Sequence, residues 1–177
     1  MLCLSGSLRR CSGNTSLLRA AIELAPASLS LSLYEGLGDL PLFNPDNEMT
    51  ALPASVDALR RRVGACDALL IACPEYAHGV PGPFKNLLDW LVGSLEFPGK
   101  PVALWNASAR GSFHAQAALR EILFTMSARL VEPASVTVPL SGAGCEVGDI
   151  TGDATLAALV RSALEAFAAE LTRTTGG

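Results

Sequence analysis

The feature that most constrains this chain is a strict alternation. Short continuous apolar runs take turns with longer segments whose apolar residues recur at helical spacing. Leu2 to Leu4 precedes a segment in which Leu17, Ala21 and Leu24 share a face. Leu29 to Tyr34 precedes Val56, Leu59 and Val63. The continuous run Ala68 to Cys73 precedes Phe84, Leu87, Leu88 and Leu91, a stripe at i, i+3, i+4 and i+7. Val102 to Trp105 precedes Leu119, Ile122, Leu123 and Met126, and Val136 to Leu140 precedes Leu156, Leu159, Val160, Ala163 and Phe167. A period near 3.6 marks an amphipathic helix, and a short apolar run between turn residues marks a buried strand. Strict β-α alternation predicts an α/β fold, a parallel sheet with helices on both faces.

Strands buried on both sides read as unbroken apolar runs, as 68–73 does. Five strands predict the flavodoxin-like order 2-1-3-4-5 in a three-layer sandwich. A six-stranded Rossmann domain is the alternative, and one strand is missing for it. At 177 residues the chain suits a single domain, 1–177. Half of the residues are apolar, and mean hydropathy is +0.36. That excludes intrinsic disorder. No run approaches the ~18 apolar residues of a membrane span. The opening Met1-Leu2-Cys3-Leu4-Ser5-Gly6 lacks the charged start and long apolar centre of a signal peptide, so a cytoplasmic protein is expected. A net charge of -4 without a basic stripe argues against nucleic-acid binding. The apolar surplus goes into a soluble interior or into subunit contacts.

Five cysteines stand at 3, 11, 66, 73 and 145, an odd count with no C-x-x-C pair. A disulfide framework and a zinc site are therefore not expected, and no metal is assigned. Cys3, Cys66 and Cys73 read as buried, inert thiols. Cys11 lies in a polar loop beside Arg9 and Arg10.

In a parallel sheet of this order, ligands bind beyond the carboxyl ends of the strands, at the point where the strand order reverses. The loops after strands 1, 3 and 4 are therefore the ones to inspect. The first, Ser5 to Ser16, is rich in hydroxyls and glycine and carries Arg9, Ser12 and Asn14 ahead of a helix. Such a loop suits a phosphate dianion, which needs a helix N-terminus, short donors and a cation. It also reads as a plain β-α turn capped by Ser12 or Asn14. It is neither G-x-x-x-x-G-K-[ST] nor G-x-G-x-x-G. The second loop, Cys73 to Pro83, has prolines at 74, 81 and 83 and glycines at 79 and 82. These fix an irregular path that suits holding a flat ring through main-chain groups, or a rigid turn ahead of the next helix. His78 reads as an exposed loop histidine or as a hydrogen-bond donor toward a substrate. The third loop, Asn106 to His114, is small and polar with one arginine and suits the far wall of a ring pocket; His114 reads as a capping or surface residue, with catalysis as the alternative, and Phe113 as a candidate core residue. No nucleophile-His-acid triad or activated carboxylate pair is visible.

Taken together, these segments resemble a known family. The motifs are Ser5-Gly6-Ser7-Leu8-Arg9 with Ser12 and Asn14, Leu40-Pro41-Leu42-Phe43-Asn44-Pro45-Asp46, Pro74-Glu75-Tyr76 through Pro81-Gly82, and Lys85-Asn86 to Asp89-Trp90. Gly99-Lys100-Pro101-Val102-Ala103-Leu104 and Ala115-Gln116 with Leu119-Arg120 complete the set. In order and spacing they are similar to the NADPH-dependent FMN reductase family, the flavodoxin-like group that includes chromate, quinone and azo-dye reductases. The similarity runs from Met1 to about Leu140.

The resemblance implies bound FMN, NADPH or NADH as electron donor, and ping-pong two-electron transfer to a quinone, flavin, azo compound or metal oxyanion. A flavodoxin-type electron carrier is the alternative. It implies that Ser7, Arg9, Ser12, Asn14, Thr15 and Ser16 take the phosphate and ribityl end. Pro74, Glu75, Tyr76, Ala77 and His78 would line the flavin ring, with Tyr76 and His78 as substrate contacts. Ser108, Arg110 and Gly111 would flank the other side. It implies no catalytic side chain, because the chemistry belongs to the flavin. Three departures stand out. Ala77 occupies the place where the family usually has Asn. The loop after strand 4 is short, with His114 where Arg is common, which leaves NADPH against NADH open. Strand 1 begins at Met1 itself.

Overall fold

The computed structural model describes residues 1–140 and 146–175, so Cys145 lies outside the described residues. The elements run β1 (Leu2–Ser5), α1 (Gly13–Leu24), β2 (Ser32–Tyr34), α2 (Pro45–Thr50), α3 (Ala54–Gly64), β3 (Leu69–Ala72) and α4 (Gly82–Val92). They continue β4 (Pro101–Ser108), α5 (Phe113–Thr125), β5 (Arg129–Leu130), β6 (Val136–Leu140), α6 (Val147–Thr151) and α7 (Ala154–Thr175). All strand pairs are parallel, in the order β2-β1-β3-β4-β5, with β6 also on β4. This is the flavodoxin-like order expected from the alternation.

The strand count differs from the expected five. The last place in the sheet is filled by two segments, β5 against Pro101 and Val102 and β6 against Trp105 to Ser108. A 3-10 turn, Glu132–Ala134, interrupts them, because Pro133 has no N–H to give to a ladder. The break leaves the Leu104 N–H without a strand carbonyl, and the Ser135 hydroxyl accepts it at 3.0 Å. The Trp105 indole N–H donates to the Ala134 carbonyl at 2.8 Å and fixes the turn against β4.

Successive side chains of a strand point to opposite faces, and the two cores show it residue by residue. Leu2, Leu4, Leu69, Ile71, Val102 and Leu104 meet α3, α4 and α5 on one face. Cys3, Leu70, Ala72, Ala103 and Trp105 meet α1, α6 and α7 on the other. Both faces of β1, β3 and β4 are thus buried, which accounts for the unbroken apolar runs. The second face is rich in alanine (positions 20, 21, 68, 72, 103 and 163), so α1 and α7 pack close to the sheet.

The Leu40–Asp46 segment is tied to α4. Asn86 accepts the Phe43 N–H at 2.8 Å and donates to the Pro41 carbonyl at 2.9 Å, and the Trp90 indole N–H donates to the same carbonyl at 2.8 Å. The Phe43 ring stands edge-on to Trp90, centroids 5.0 Å apart. Among the described residues, no helix is long and apolar enough to cross a membrane.

Candidate functional site

The chain leaves β1, passes outward to β2 and returns to β3 on the other side of β1, so the strand order reverses between β1 and β3. The loops after β1 and β3 part there and leave a crevice at the carboxyl ends of the strands. A cavity of about 800 Å³ occupies it, within the usual range for small-molecule sites.

One wall begins where β1 ends. The Gly6 N–H donates to the Ala72 carbonyl at 2.8 Å, which holds the starts of the two loops together. A Cβ at Gly6 would stand 2.5 Å from the Cys73 sulfur, so any side chain at this crossing has to displace Cys73. Hydroxyls then organise the loop: Ser5 and Thr15 share a hydrogen bond of 2.8 Å, Ser5 Oγ accepts the Ser7 N–H, and Ser7 Oγ accepts the Arg9 N–H. Ser12, in extended backbone, caps α1 by accepting the Thr15 N–H. Asn14 has another task, since its Oδ1 accepts the Ala107 N–H and ties α1 to the end of β4. The first turn of α1 holds no acidic residue, so its positive N-terminal end faces the cavity without an internal counter-charge.

The second wall follows β3. The Tyr76 N–H donates to the Gly79 carbonyl and the Gly79 N–H to the Tyr76 carbonyl, at 3.1 and 3.0 Å. The two residues between them, Ala77 (φ 48°) and His78 (φ 59°), are both left-handed, as in a two-residue hairpin turn. Side chains with a Cβ adopt that conformation at a cost of roughly 1–2 kcal/mol each. Glu75 reaches across to α5, where its Oε2 accepts the Ala115 N–H at 2.9 Å. The residue before α5, Ser112, is left-handed and gives no side-chain cap, so Glu75 caps this helix from another loop and sets a carboxylate at its positive end.

The third wall follows β4. The Asn106 amide donates to the Gly111 carbonyl at 2.7 Å and accepts the Ser108 N–H at 3.0 Å, and Ser108 Oγ accepts the Arg110 N–H. Ser5, Ser7, Ser12, Asn14, Asn106 and Ser112 are all buried and all belong to these three walls. Buried polar groups are retained where they are bonded, and here the bonds shape the loops.

Of the residues singled out from sequence, Ser7, Arg9, Ser12, Asn14, Pro74, Glu75, Tyr76, Ala77, His78, Ser108 and Arg110 line the cavity. Thr15, Ser16 and Gly111 do not. Thr15 bonds to Ser5, the Ser16 N–H donates to the Ser12 carbonyl, and Gly111 takes the Asn106 amide. Gly13, Ala107, Ala109, Ser112, His114 and Leu140 also line it, as does Phe113, which is 76% exposed on the rim and not in the core. Ala109 and Ser112 to His114 enter through the loop after β4 and the start of α5, Gly13 through the start of α1 and Leu140 through the end of β6, placements that apolar periodicity does not report. Among the cysteines, Cys3 and Cys73 are buried and Cys66 is half-buried, while Cys11 is exposed. Burial pushes the Cys3 and Cys73 thiols up to about 12, so neither is a thiolate near neutrality.

Comparison with known proteins gives one family. The model of the NADPH-dependent FMN reductase family matches residues 1–142. The chain is 40% identical over 127 residues to an NAD(P)H-dependent FMN reductase of Pseudomonas aeruginosa, covering 70% of this chain and 68% of that one. It is 35% identical over 133 residues to a quinone reductase of Escherichia coli, covering 72% and 71%. A solved flavoenzyme NAD(P)H:(acceptor) oxidoreductase of Paracoccus denitrificans superposes with a TM-score of 0.83 at 31% identity, over 97% of this chain and 96% of the other.

Proposed function

The chain belongs to the NADPH-dependent FMN reductase family, and from that premise we propose that its single domain, 1–177, holds FMN across the β1/β3 crevice and reduces a quinone with it. The protein is an FMN-dependent NAD(P)H oxidoreductase. The observation that carries the placement is the continuity of the cavity. It runs from the hydroxyl-rich loop at the N-terminus of α1 to the proline-fixed loop after β3.

The residues suit the two ends of FMN. Ser7, Arg9, Ser12 and Asn14 stand where a phosphate dianion meets a helix N-terminus, a guanidinium and short donors. Thr15 and Ser16 support that end from behind the lining. At the other end, Pro74 to His78 offer main-chain groups and the Tyr76 face to a flat ring, and Ser108 and Arg110 close the far side. The Glu75 bond to Ala115 holds the ring-side loop against α5. Tyr76, 49% exposed, and His78 stand where a substrate would reach the ring. FMN held there would supply the two-electron chemistry between NAD(P)H and the acceptor. The part of the protein is to bind and orient it, and this chemistry requires no side-chain nucleophile.

Quinone is the acceptor named for relatives at 43% and 35% identity; free flavin, azo compounds and chromate are further acceptors to assay. A homodimer or homotetramer in the cytoplasm is part of the same reading and rests on the family membership; sedimentation at micromolar protein would test the assembly. The phosphate role is tested at Arg9. Arg9→Ala should weaken FMN binding by roughly 1.5–3 kcal/mol, the range for hydrogen bonds to charged groups. An unchanged FMN affinity would make Arg9 a surface charge only.

A further inference from the structure

The chain contains two histidines. They are 36 positions apart, on the loop after β3 and in the first turn of α5, and the fold brings them face to face. The rings of His78 and His114 stack with centroids 4.4 Å apart and planes within 12°. Beside them is Glu75, and the ligating atoms of all three side chains lie within 4.8 Å of one another. All three line the cavity. Flavin binding, as proposed above, has no need for paired imidazoles.

We infer that Glu75, His78 and His114 bind one divalent transition-metal ion of the Zn²⁺, Ni²⁺ or Cu²⁺ kind at the cavity wall. Two imidazoles and a carboxylate are the donor set that borderline metals take in three-ligand sites with a position left open. Magnesium and calcium, which prefer all-oxygen shells, are not matched. At metal–ligand distances of 2.0–2.2 Å, tetrahedral ligand atoms sit about 3.3 Å apart. The three groups therefore have to close by about 1.5 Å at most. Both imidazoles are exposed, so ring rotation provides that movement without repacking the core.

Glu75 is the fixed partner. Its Oε2 is held by the Ala115 N–H, which aims the carboxylate and leaves Oε1 for the ion, the arrangement that second-shell bonds give to metal ligands. The turn holds His78 in place through the reciprocal Tyr76–Gly79 bonds. The N-terminus of α5 and the Arg9 and Arg110 side chains disfavour a cation, and the carboxylate at that helix end offsets the first of these. An ion held here stands inside the cavity, with its open position toward whatever the cavity takes.

The test uses the untagged full chain with its flavin, cleared of metal by chelator and dialysed against Zn²⁺, then loaded with Cu²⁺ for electron paramagnetic resonance. Flavin content is read by absorbance in the same samples. The site consists only of this chain's side chains, so the metal readings stand even if no flavin is found. The wild type should bind one Zn²⁺ per chain, and its Cu²⁺ spectrum should show superhyperfine coupling to two nitrogens. His114→Ala and His78→Ala should each leave one nitrogen and weaken Zn²⁺ binding at least about tenfold, and Glu75→Gln should weaken it while keeping both nitrogens. Absence of stoichiometric binding at micromolar Zn²⁺, or a two-nitrogen spectrum that persists in His114→Ala, would overturn the inference.

Discussion

Gly6 is where the account can be pressed hardest with one methyl group. The Cβ of Gly6→Ala would lie 2.5 Å from Cys73 Sγ and 3.1 Å from both Cα and Cβ of Cys73. The sulfur can rotate away, but the Cα cannot without moving β3. Gly6 is also held toward β3 by its 2.8 Å bond to the Ala72 carbonyl, so the strain falls on the start of both cavity loops. Inserting a methyl into a packed contact of this kind costs about 1–3 kcal/mol. Urea unfolding of the flavin-free protein by far-UV circular dichroism should show that loss, with FMN bound more weakly because Ser7 and Arg9 shift against Pro74 to His78. Adding Cys73→Ala removes the 2.5 Å contact and leaves the two 3.1 Å ones, so the double variant should recover part of the loss relative to the sum of the singles. A Gly6→Ala protein within about 0.5 kcal/mol of wild type, or singles that add with no coupling, would refute the packing argument.

Other outcomes follow from the same geometry. Glu75→Ala removes the α5 cap and should cost about 1 kcal/mol of stability, measured by urea unfolding, with Glu75→Gln milder because its amide oxygen can still accept the Ala115 N–H. Ala77→Gly relieves a left-handed alanine, worth roughly 1–2 kcal/mol, and adds unfolded-state entropy of about 0.4–1 kcal/mol, so a net gain of about 0–1.6 kcal/mol is expected. A lower melting temperature would contradict the turn conformation. Cys3 and Cys73 ionise near their ordinary value when unfolded and at about 12 when folded. Because the folded value is the raised one, their contribution is complete below about pH 9 and is lost as pH rises toward 12. Stability should fall by about 1.4 kcal/mol per pH unit for each thiol in that window, and Cys73→Ala should make the slope shallower.

Much of the architecture was legible because burial on both faces of a parallel sheet writes itself into β1, β3 and β4 as unbroken apolar runs. The helices α1, α3, α4, α5 and α7 declared themselves through stripes that now line the two cores. Short pieces left no such mark. α2 is specified by the Asn44 cap and Pro45 and buries no residue, and β5 pairs only two residues before Pro133 breaks the ladder. The Leu29 to Tyr34 run became a strand only from Ser32, since a turn between Pro26 and Leu29 takes the chain up to the sheet edge. At the site, residue chemistry pointed to the three loops but not to what crosses between them. The Glu75 bond to Ala115 and the His78–His114 stack join residues 40 and 36 positions apart. The same loops carry left-handed backbone at Ala77, His78 and Ser112, residue types for which spacing predicts no such conformation.

The most direct test of the central claim is an anaerobic absorbance titration of the purified protein. The purified protein should be yellow, with flavin bands near stoichiometric FMN. It should bleach on addition of one equivalent of NADPH or NADH and regain its colour when a quinone follows. A colourless protein that takes up no FMN on incubation would contradict the site. A flavin that binds but is not bleached by either nicotinamide would contradict the reductase reading and favour an electron carrier.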